Sequence, residues 1–364
     1  METNQVNRRD FLQKTAFIAA SVAFSPNVLL AATRRKKDNL GIALVGLGYY
    51  STDVLAKSFG FTKNCHLEGI VTGTPAKAET WKQKYNLADK NIYSYQSFDQ
   101  IANNPDIDVI YVVLPPSMHR EYVERAAKAG KQVWCEKPMA PSVAECEAMI
   151  AACKKNNVNL AIGYRCQHDS NVQEYMRLGQ KRVFGKVKTI ESSAAYTEGR
   201  TDHWKQKKAM GGGVMGDMGV YAIQGARLIT GEEPLTVSAK LYTNRPQIYT
   251  EVEEIADYTL EFPSGAVAKC HSSYGDNANF LRAECEKGWI KVEPQSGYSG
   301  IKGESPNGKW SFPLPNQQAK QMDEDALAIM TSKKLIAPGE EGLRDIRIVE
   351  AVYRSGKSGK TEKI

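Results

Sequence analysis

The sequence predicts an α/β protein with two domains, and three observations carry that prediction. An apolar strand runs directly into the glycine turn Gly46-Leu47-Gly48, and strands then alternate with helices to about residue 160. From about residue 161 to residue 333, strands follow one another with few long connections. The first two patterns are typical of a Rossmann dinucleotide-binding domain, and the third of an α+β domain with a large, mostly antiparallel open sheet.

Composition and charge suit a globular protein. The 364 residues, with 42% hydrophobic and 24% charged content, are enough for two cores. The net charge of +7 is spread thinly, and its densest cluster, Arg34–Lys37, lies before the first strand. We interpret this cluster as a solvated linker, because it is accompanied neither by interleaved aromatic residues nor by a nucleic-acid recognition helix. No nucleic-acid partner is predicted.

Residues 1–32 are interpreted as a twin-arginine export signal. Arg8-Arg9 stands before Phe11-Leu12, and a mildly apolar run extends from Thr15 to Phe24. This pattern predicts a periplasmic or otherwise exported protein. A retained anchor and a cytoplasmic amphipathic tail are the alternatives, but Pro26 interrupts the apolar run, so no stable membrane span is expected.

The seven cysteines are predicted to be buried free thiols. They form no Cys-x-x-Cys pair and have no metal-like spacing with histidine, so neither a disulfide framework nor a metal site is predicted. The twin-arginine route carries folded proteins. Folding in a reducing compartment accounts for unpaired thiols, and a nicotinamide cofactor could be loaded before export.

The glycine turn is the first candidate binding element. Gly46 permits a tight turn after the strand, Gly48 lets the backbone approach a pyrophosphate, and the helix that Tyr49 and Tyr50 open supplies amide donors. Ser51 replaces the third glycine, which loosens the contact between helix and strand without disturbing the phosphate contacts.

The segments that follow predict the rest of the parallel sheet. They are a strand from His66 to Thr72, a helix from Lys77 to Tyr85, a strand from Ile92 to Tyr95 and a buried strand from Asp108 to Leu114.

The last of these strands ends in a candidate ligand loop. Pro115-Pro116 terminates the strand and His119 opens the next helix, so the loop from Leu114 lies at the carboxyl edge of the sheet, where ligands bind in open α/β folds. His119 is either a contact to the cofactor or simply a residue at the helix start.

The end of the second strand favours NADP over NAD. The stretch from Thr72 to Lys77 carries no carboxylate that would repel a 2′-phosphate. Thr72 and Thr74 offer hydroxyls beside Gly73, and Lys77 offers a positive charge about one helical turn further on. If Lys77 only solvates the helix N-terminus, either cofactor could bind.

Strands of the second half are predicted at Gly185–Ser193, Leu235–Thr243, Ile255–Phe262, Ala266–Ser273 and Ile290–Glu293. A helix is predicted from Val214 to Ile229, after three glycines, and places Asp217 and Tyr221 on one face. Val214, Met218 and Tyr221 also form an apolar stripe that could pack on the sheet. The adjacent aspartate and the glycines favour a ligand site.

Several motifs together resemble a known family. These are Glu136-Lys137-Pro138 after a strand, Gly163-Tyr164-Arg165-Cys166, Trp204 followed by Gly211-Gly212-Gly213, Asp217 with Tyr221, and the segment Pro338–Asp345. The chain resembles the family of glucose-fructose oxidoreductase, inositol dehydrogenase and the rhizopine catabolism oxidoreductases, and most resembles the glucose-fructose oxidoreductase branch.

That resemblance implies roles for individual residues. Lys137, Asp217 and Tyr221 match catalytic positions, Tyr221 standing where most relatives have histidine. Thr72 and Lys77 match residues that contact the 2′-phosphate. Arg165 and Trp204 match positions beside the cofactor or substrate, and Lys205 stands where the branch has arginine. The resemblance also implies a homodimer or homotetramer formed through the C-terminal sheet.

The predicted cofactor-binding residues are Gly46, Leu47, Gly48, Tyr49, Tyr50, Thr72, Gly73, Lys77, Leu114, Pro115, His119, Glu136, Lys137, Arg165, Trp204 and Lys205. The predicted segments are the signal 1–32, the basic linker 33–39, the dinucleotide-binding domain 40–160, the substrate and oligomerisation domain 161–333, and the C-terminal helix and tail 334–364.

These residues can carry out the oxidation of a sugar hydroxyl, which releases a hydride from carbon and a proton from oxygen. Free tyrosine has a pKa of about 10, so Tyr221 needs a nearby cation to act as the base, and Lys137 is predicted to supply it. Because a dissociated cofactor would be lost outside the cytoplasm, export favours an NADP that stays bound. One sugar would reduce this NADP and a second sugar would reoxidise it. A nicotinamide-dependent glycoside hydrolase and a non-catalytic module that binds nucleotide or sugar are the alternatives.

Overall fold

The N-terminal half forms a parallel sheet in a computed structural model that describes residues 37–364. Its six strands lie in the order β3-β2-β1-β4-β5-β6. Every residue of β1 is buried, as both faces of a covered parallel sheet require. The strands are β1 Leu40–Val45, β2 Cys65–Val71, β3 Ile92–Tyr93, β4 Val109–Val112, β5 Gln132–Cys135 and β6 Leu160–Ile162. The predicted Rossmann domain is thereby confirmed.

The second sheet has nine strands in the order β14-β13-β12-β11-β7-β10-β9-β8-β15. Strands β7 and β10 pair in parallel, and the other neighbours pair antiparallel, so the predicted mostly antiparallel sheet is confirmed. Its strands are β7 Val187–Ala195, β8 Thr236–Tyr242, β9 Ile255–Glu261, β10 Val267–Ser273, β11 Asn279–Cys285, β12 Gly288–Glu293, β13 Lys302–Ser305, β14 Gly308–Trp310 and β15 Glu362–Lys363.

Helices cover both faces of the first sheet and one face of the second. They are α1 Ala56–Ser58, α2 Pro75–Tyr85, α3 His119–Lys128, α4 Val143–Lys155, α5 Ser170–Gln180, α6 Val220–Thr230, α7 Gln317–Thr331 and α8 Gly339–Ser358. Helix α6 packs on β7 and β10, and their apolar side chains form one buried cluster. The opposite face of the second sheet carries polar side chains such as Lys240, Lys269 and His271.

The structure differs from the predicted segments in two places. Strand β6 pairs with β5, so the predicted boundary between residues 160 and 161 falls inside a strand of the first sheet. Helix α7 lies within the predicted second domain but packs on the first sheet, where Met322 and Ala326 join the buried cluster of Trp134. Apolar spacing shows that a helix has a buried face without showing which sheet that face covers.

The twin-arginine signal and all but the last residues of the basic linker lie outside the described residues. Within residues 37–364, no helix is long and apolar enough to span a membrane. All seven cysteines are free thiols and six of them are buried, which agrees with the expectation from their spacing.

Candidate active site

The glycine turn lies where the strand order of the first sheet reverses, between β1 and β4. Gly46 has φ +93°, and a Cβ on it would lie 2.4 Å from the carbonyl oxygen of Val113, so only glycine fits. At Gly48, by contrast, a Cβ would meet no atom within 4 Å, which leaves room for a ligand to approach the backbone. The turn therefore fits a dinucleotide pyrophosphate.

Ser51 stabilises this turn. Its buried hydroxyl donates to the carbonyl oxygen of Gly46 at 2.6 Å, and the helix starts here with the π-helical segment Tyr50–Leu55 before α1. The serine that replaces the third glycine thus ties the helix to the turn, whereas the sequence suggested a looser contact. Tyr49 is 64% exposed beside it, and Leu47 is buried.

Thr72 directly follows β2, and Lys77 lies in the first turn of α2, where it reaches the glycine turn. The Lys77 ammonium donates to the carbonyl oxygen of Leu47 at 3.2 Å. The Thr72 hydroxyl accepts from the amide of Thr74 at 3.2 Å. Gly73, which follows Thr72, is packed beside the Tyr95 ring. The structure thus places Lys77 at the glycine turn and Thr72 at the end of β2, and their contact with a phosphate stays a prediction.

His119 is held by the backbone. Its ring is fully buried, with Nε2 2.7 Å from the carbonyl oxygen of Leu114 and Nδ1 3.1 Å from those of Pro138 and Met139. Burial lowers its pKa. The structure thus favours the helix-start interpretation over a direct cofactor contact. His119 links the loop of Leu114 and Pro115 to the segment that follows Lys137.

Lys137 pairs with Asp217 at the centre of the site. The Lys137 ammonium donates to Oδ1 of Asp217 at 2.8 Å and to its carbonyl oxygen at 2.9 Å. It also lies 4.6 Å from the centre of the Tyr221 ring. Burial lowers the pKa of Lys137, but the Asp217 carboxylate outweighs burial and holds that pKa above its usual value. Lys137 is therefore a fixed positive charge.

A second lysine reaches the same carboxylate. The Lys205 ammonium lies 2.5 Å from Oδ2 of Asp217 and donates to the Tyr196 hydroxyl at 2.8 Å. The Tyr274 hydroxyl also donates to Oδ2, at 3.3 Å. Burial raises the pKa of Asp217, but the two ammonium groups outweigh burial and keep it well below its usual range. Lys205, assigned from sequence to the cofactor, thus acts as an anchor of Asp217.

Asp217 and Tyr221 come together, although not through a continuous α-helix. The predicted helix begins as a π-helical segment, Met215–Gly219, before α6. A π-helical turn is wider than an α-helical turn, so residues four apart are not aligned on one face as they are in an α-helix. Lys137 nevertheless contacts both side chains. Tyr221 also packs against the apolar cluster of the second domain, as its stripe predicted, so the predicted catalytic position and the apolar contact are compatible.

Glu136 is buried behind Lys137. The Tyr111 hydroxyl donates to Oε1 of Glu136 at 2.6 Å. Burial raises the pKa of Glu136 to about 7. A Cβ on Gly163 would lie 2.7 Å from the same carboxylate, so the glycine of the Gly163-Tyr164-Arg165-Cys166 motif makes room for it. Glu136 thus fixes the strand end that carries Lys137.

Arg165 and Trp204 lie near the site in different surroundings. Arg165 is 3% exposed, and its guanidinium donates to the carbonyl oxygens of Ser296 at 2.6 Å and Gly297 at 2.9 Å. Trp204 is half-buried in a short 3-10 helix, and its ring lies 5.8 Å from the ammonium of Lys205.

Several residues of the site were not predicted, among them Tyr274, which follows β10 and donates to Asp217. Tyr196 directly follows β7 and contacts Lys205, and Tyr298 contacts Arg165 from the loop between β12 and β13. A tyrosine that directly follows a strand, or that stands in a loop of glycine and serine, is a sequence feature that can indicate a ligand site. Within residues 37–364, no group of His, Cys, Asp and Glu is arranged to hold a metal ion.

Two family profiles match the chain. The oxidoreductase family with an NAD-binding Rossmann fold (GFO/IDH/MocA) matches residues 40–164, and the GFO/IDH/MocA C-terminal domain matches residues 172–291.

Individual relatives agree with these profiles. The crystal structure of aldose-aldose oxidoreductase from Caulobacter crescentus, complexed with glycerol, is 41% identical with a TM-score of 0.87, over 90% of this chain and 100% of that one. D-xylose 1-dehydrogenase [NADP(+)] of Haloarcula marismortui is 23% identical, over 88% of this chain and 92% of its own length. An Agrobacterium radiobacter oxidoreductase in complex with NAD+, L-tartaric acid and magnesium is 19% identical over 89% of this chain and 98% of that one, with a TM-score of 0.74, and shares the fold.

Proposed function

Because the chain belongs to the GFO/IDH/MocA oxidoreductase family, we propose that it is an exported, NADP-dependent sugar oxidoreductase. It transfers hydride between an aldose hydroxyl and a tightly held nicotinamide, with a second aldose as the acceptor. The coarser activity, NAD(P)-dependent oxidation of a sugar, is supported by the family and by the two sugar oxidoreductases described above. The observation that carries the proposal is the contact of Lys137 with both Asp217 and Tyr221, on the same side of the sheet as the glycine turn.

The roles of the three residues follow from their charges. When bound, the nicotinamide supplies the hydride acceptor. Asp217 stays ionised between two ammonium groups, so it positions Lys137 and does not exchange protons with the sugar. Lys137 is the fixed cation. Tyr221, in its phenolate form, is left to accept the proton of the sugar hydroxyl, with the Lys137 ammonium 4.6 Å and the Arg165 guanidinium 5.3 Å from its ring centre.

The preference for NADP rests on the position of Lys77. Its ammonium lies at the glycine turn, next to the end of β2, where the ribose of a dinucleotide binds in this fold. No carboxylate follows β2 in the stretch from Thr72 to Lys77 to oppose a 2′-phosphate. A lysine can meet a phosphate as a point charge, and the Thr72 hydroxyl at the end of β2 is the second group proposed to contact it.

Export and oligomerisation complete the proposal. The twin-arginine motif supports export of the folded protein, and export favours a cofactor that stays bound while two sugars alternate. The outer face of the second sheet, with Lys240, Lys269 and His271, supports pairing of two copies. His271 lies between Asp257 and Asp276 on this face, and these charges could meet their counterparts across a two-fold axis.

The test uses the purified protein and its Tyr221→Phe variant. The nucleotide that copurifies is identified by absorbance and mass, and D-xylose is then added with and without D-glucose. We expect reduced NADP to accumulate with one aldose in a single turnover. With two aldoses, sugar products should form without net reduction of NADP. The Tyr221→Phe variant should keep the nucleotide but lose most of the hydride transfer.

Other outcomes would reject the proposal. Release of the aglycone from an aryl glycoside, without oxidised sugar as product, would identify a glycoside hydrolase. Nucleotide that stays oxidised with every aldose tested would identify a binding module. A Tyr221→Phe variant with near-normal single-turnover rate would show that Tyr221 only packs.

A further inference from the structure

The loop between β12 and β13 carries an aromatic ring that no core contact explains. Tyr298 is 51% exposed, although tyrosine in this fold is otherwise mostly buried or half-buried among the described residues. It stands in the sequence Ser296-Gly297-Tyr298-Ser299-Gly300, where every neighbour is small. A large half-exposed ring among small residues is accessible to a ligand from several directions.

The base of this loop is held firmly. The Arg165 guanidinium donates to the carbonyl oxygens of Ser296 and Gly297, the two residues before Tyr298. On the other side, Oδ1 of Asn279 accepts from the amide of Ser296 at 3.0 Å. Holding the preceding residues from two directions limits the positions that the Tyr298 ring can take, which reduces the entropy lost when a ligand binds to it.

Arg165 also occupies one side of the ring. Its guanidinium carbon lies 4.4 Å from the centre of the Tyr298 ring and 5.3 Å from that of Tyr221. The guanidinium also donates to Oε1 of Gln317, so both of its terminal nitrogens bind protein oxygens rather than a cofactor phosphate. Arg165 therefore sits between the residue proposed as the base and the exposed ring, and fixes one relative to the other.

The ring faces the site from the second domain. Its centre lies 6.3 Å from that of Tyr50, which follows the glycine turn. Tyr298 is also close enough to Lys137, Asp217 and Tyr221 for their charges to act on its hydroxyl. The half-exposed ring thus lies near the groups that handle the reacting hydroxyl.

A pyranose has the surface that such a ring can bind. Its hydroxyls lie around the rim, and one or both faces present C–H groups. Ligand sites commonly combine an aromatic surface for apolar area with a few polar groups that orient the ligand. Lys137, Asp217 and Tyr221 are the polar groups here, and Tyr298 is the half-exposed aromatic surface beside them.

We propose that Tyr298 is a substrate-binding residue whose ring packs on the C–H face of the aldose, and that Arg165 is the positioning residue that holds its loop. The proposal rests on the proposed sugar oxidoreductase function. It extends that function by naming a residue that selects cyclic sugars over open-chain polyols. Tyr298 supplies affinity for the ring of the sugar, while the catalytic groups recognise the hydroxyl.

The test compares Tyr298→Ala and Tyr298→Phe with Phe61→Ala, which removes an aromatic side chain of similar exposure outside the site. For each NADP-loaded protein, kcat and KM are measured with D-xylose and with glycerol as hydride donor, at a fixed concentration of D-glucose as acceptor. Calorimetry measures D-xylose binding to the NADP-loaded protein and NADP binding to the nucleotide-free protein. For Tyr298→Ala we expect at least a tenfold rise in KM for D-xylose, a much smaller change for glycerol, and NADP affinity within threefold of the parent protein.

The other variants distinguish the contribution of the Tyr298 ring from those of its hydroxyl and of Arg165, which holds the loop. Tyr298→Phe keeps the ring, so its KM for D-xylose should stay within about threefold of the parent value, and Phe61→Ala should be unchanged. Arg165→Met should raise the KM for D-xylose with kcat less affected. Restoring positive charge in Arg165→Lys should recover only part of that loss, because lysine cannot reach two carbonyls from one planar group.

Three results would overturn the inference. Tyr298→Ala with unchanged D-xylose affinity would exclude a substrate contact, and the sugar oxidoreductase function would stand. Equal losses for D-xylose and NADP would show that Tyr298 covers the cofactor instead. If the parent protein neither binds nor oxidises D-xylose or D-glucose, the proposed function itself fails and this inference fails with it.

Discussion

Asp217 shows how a single carboxylate can organise a site without taking part in proton transfer. Ammonium groups approach both of its oxygens, from Lys137 and Lys205, and the Tyr274 hydroxyl donates to one of them. A buried carboxylate with a single cation is usually vulnerable to loss of that partner. Here the second cation keeps Asp217 ionised, so Lys137 can be substituted while the carboxylate retains a partner.

Lys137→Ala should therefore fold and bind cofactor but react slowly. Hydride transfer should need a higher pH than in the parent protein, because the cation nearest the Tyr221 ring is lost. Lys205→Met is the matched control. It removes an ammonium from the same carboxylate but leaves the one that contacts Tyr221, so its pH profile should shift less. Equal shifts in the two variants would contradict a direct effect of Lys137 on Tyr221.

Lys77→Ala should weaken NADP much more than NAD. Only NADP presents a phosphate to the ammonium that lies at the glycine turn, and loss of one such contact should reduce affinity about tenfold or more. Dissociation constants for both cofactors, measured with the same protein, check this. Exposed Lys57, on α1, provides a control in Lys57→Ala. Equal losses for NADP and NAD would reject the phosphate contact.

At the scale of elements, α7 joins the two halves through polar as well as apolar groups. Its Asp325 is buried, and neither carboxylate oxygen has a hydrogen-bond partner among the described residues. Burial raises the pKa of Asp325 to about 7, although nearby His168 opposes the rise. His168 is buried as well, with Nδ1 2.8 Å from Glu324. Ionisation of Asp325 therefore works against the docking of this helix.

The stability of the protein should fall as pH rises through the range set by Asp325. An unfolded aspartate ionises near pH 4, whereas Asp325 in the folded protein keeps its proton to about pH 7. Between these values only the folded state holds the proton, so the free energy of unfolding declines, by up to about 4 kcal/mol in total.

The asparagine in Asp325→Asn cannot ionise, so the free energy of unfolding of this variant should decline less steeply with pH. Urea unfolding of both proteins at pH 5 and pH 8 measures the difference. The parent protein should lose more stability than the variant between the two values. Because Glu136, with a pKa of about 7, contributes a similar decline, the variant should retain part of the slope. Identical slopes in the two proteins would contradict the assignment to Asp325.

At the scale of the whole molecule, local patterns predicted the fold better than the contacts of the site. Continuous apolar strands and the glycine turn predicted the parallel sheet, and the spacing of Asp217 and Tyr221 predicted that they meet. The partnership of Lys205 with Asp217 could not be predicted, because it depends on how the short 3-10 helix of Lys205 folds back onto a carboxylate twelve residues further along the chain. The role of Arg165 depends on a loop more than a hundred residues away, which no local pattern encodes.

Retention of the cofactor is also a property of the whole molecule. Residues 33–39 lie between the expected end of the signal and β1 and span at most ~25 Å when extended. We expect this stretch to be too short to cover the cofactor of a neighbouring subunit. We therefore expect NADP to be bound by the glycine turn, Lys77 and the covering loops, and to exchange over hours. Dialysis should remove nucleotide and activity, and added NADP should restore both. Full loading after extended dialysis would show that another segment closes the site.

The burial of the thiols has a practical consequence for work on this protein. A thiolate is the form that reacts with alkylating reagents, and burial raises the pKa of Cys146 and Cys153 to about 12. Cys285 is the one cysteine that is only half-buried, with a pKa raised to about 11. We therefore expect a cysteine introduced on the surface to react with a fluorophore before the native cysteines do. Distances between labelled sites can then be measured without first replacing the native cysteines.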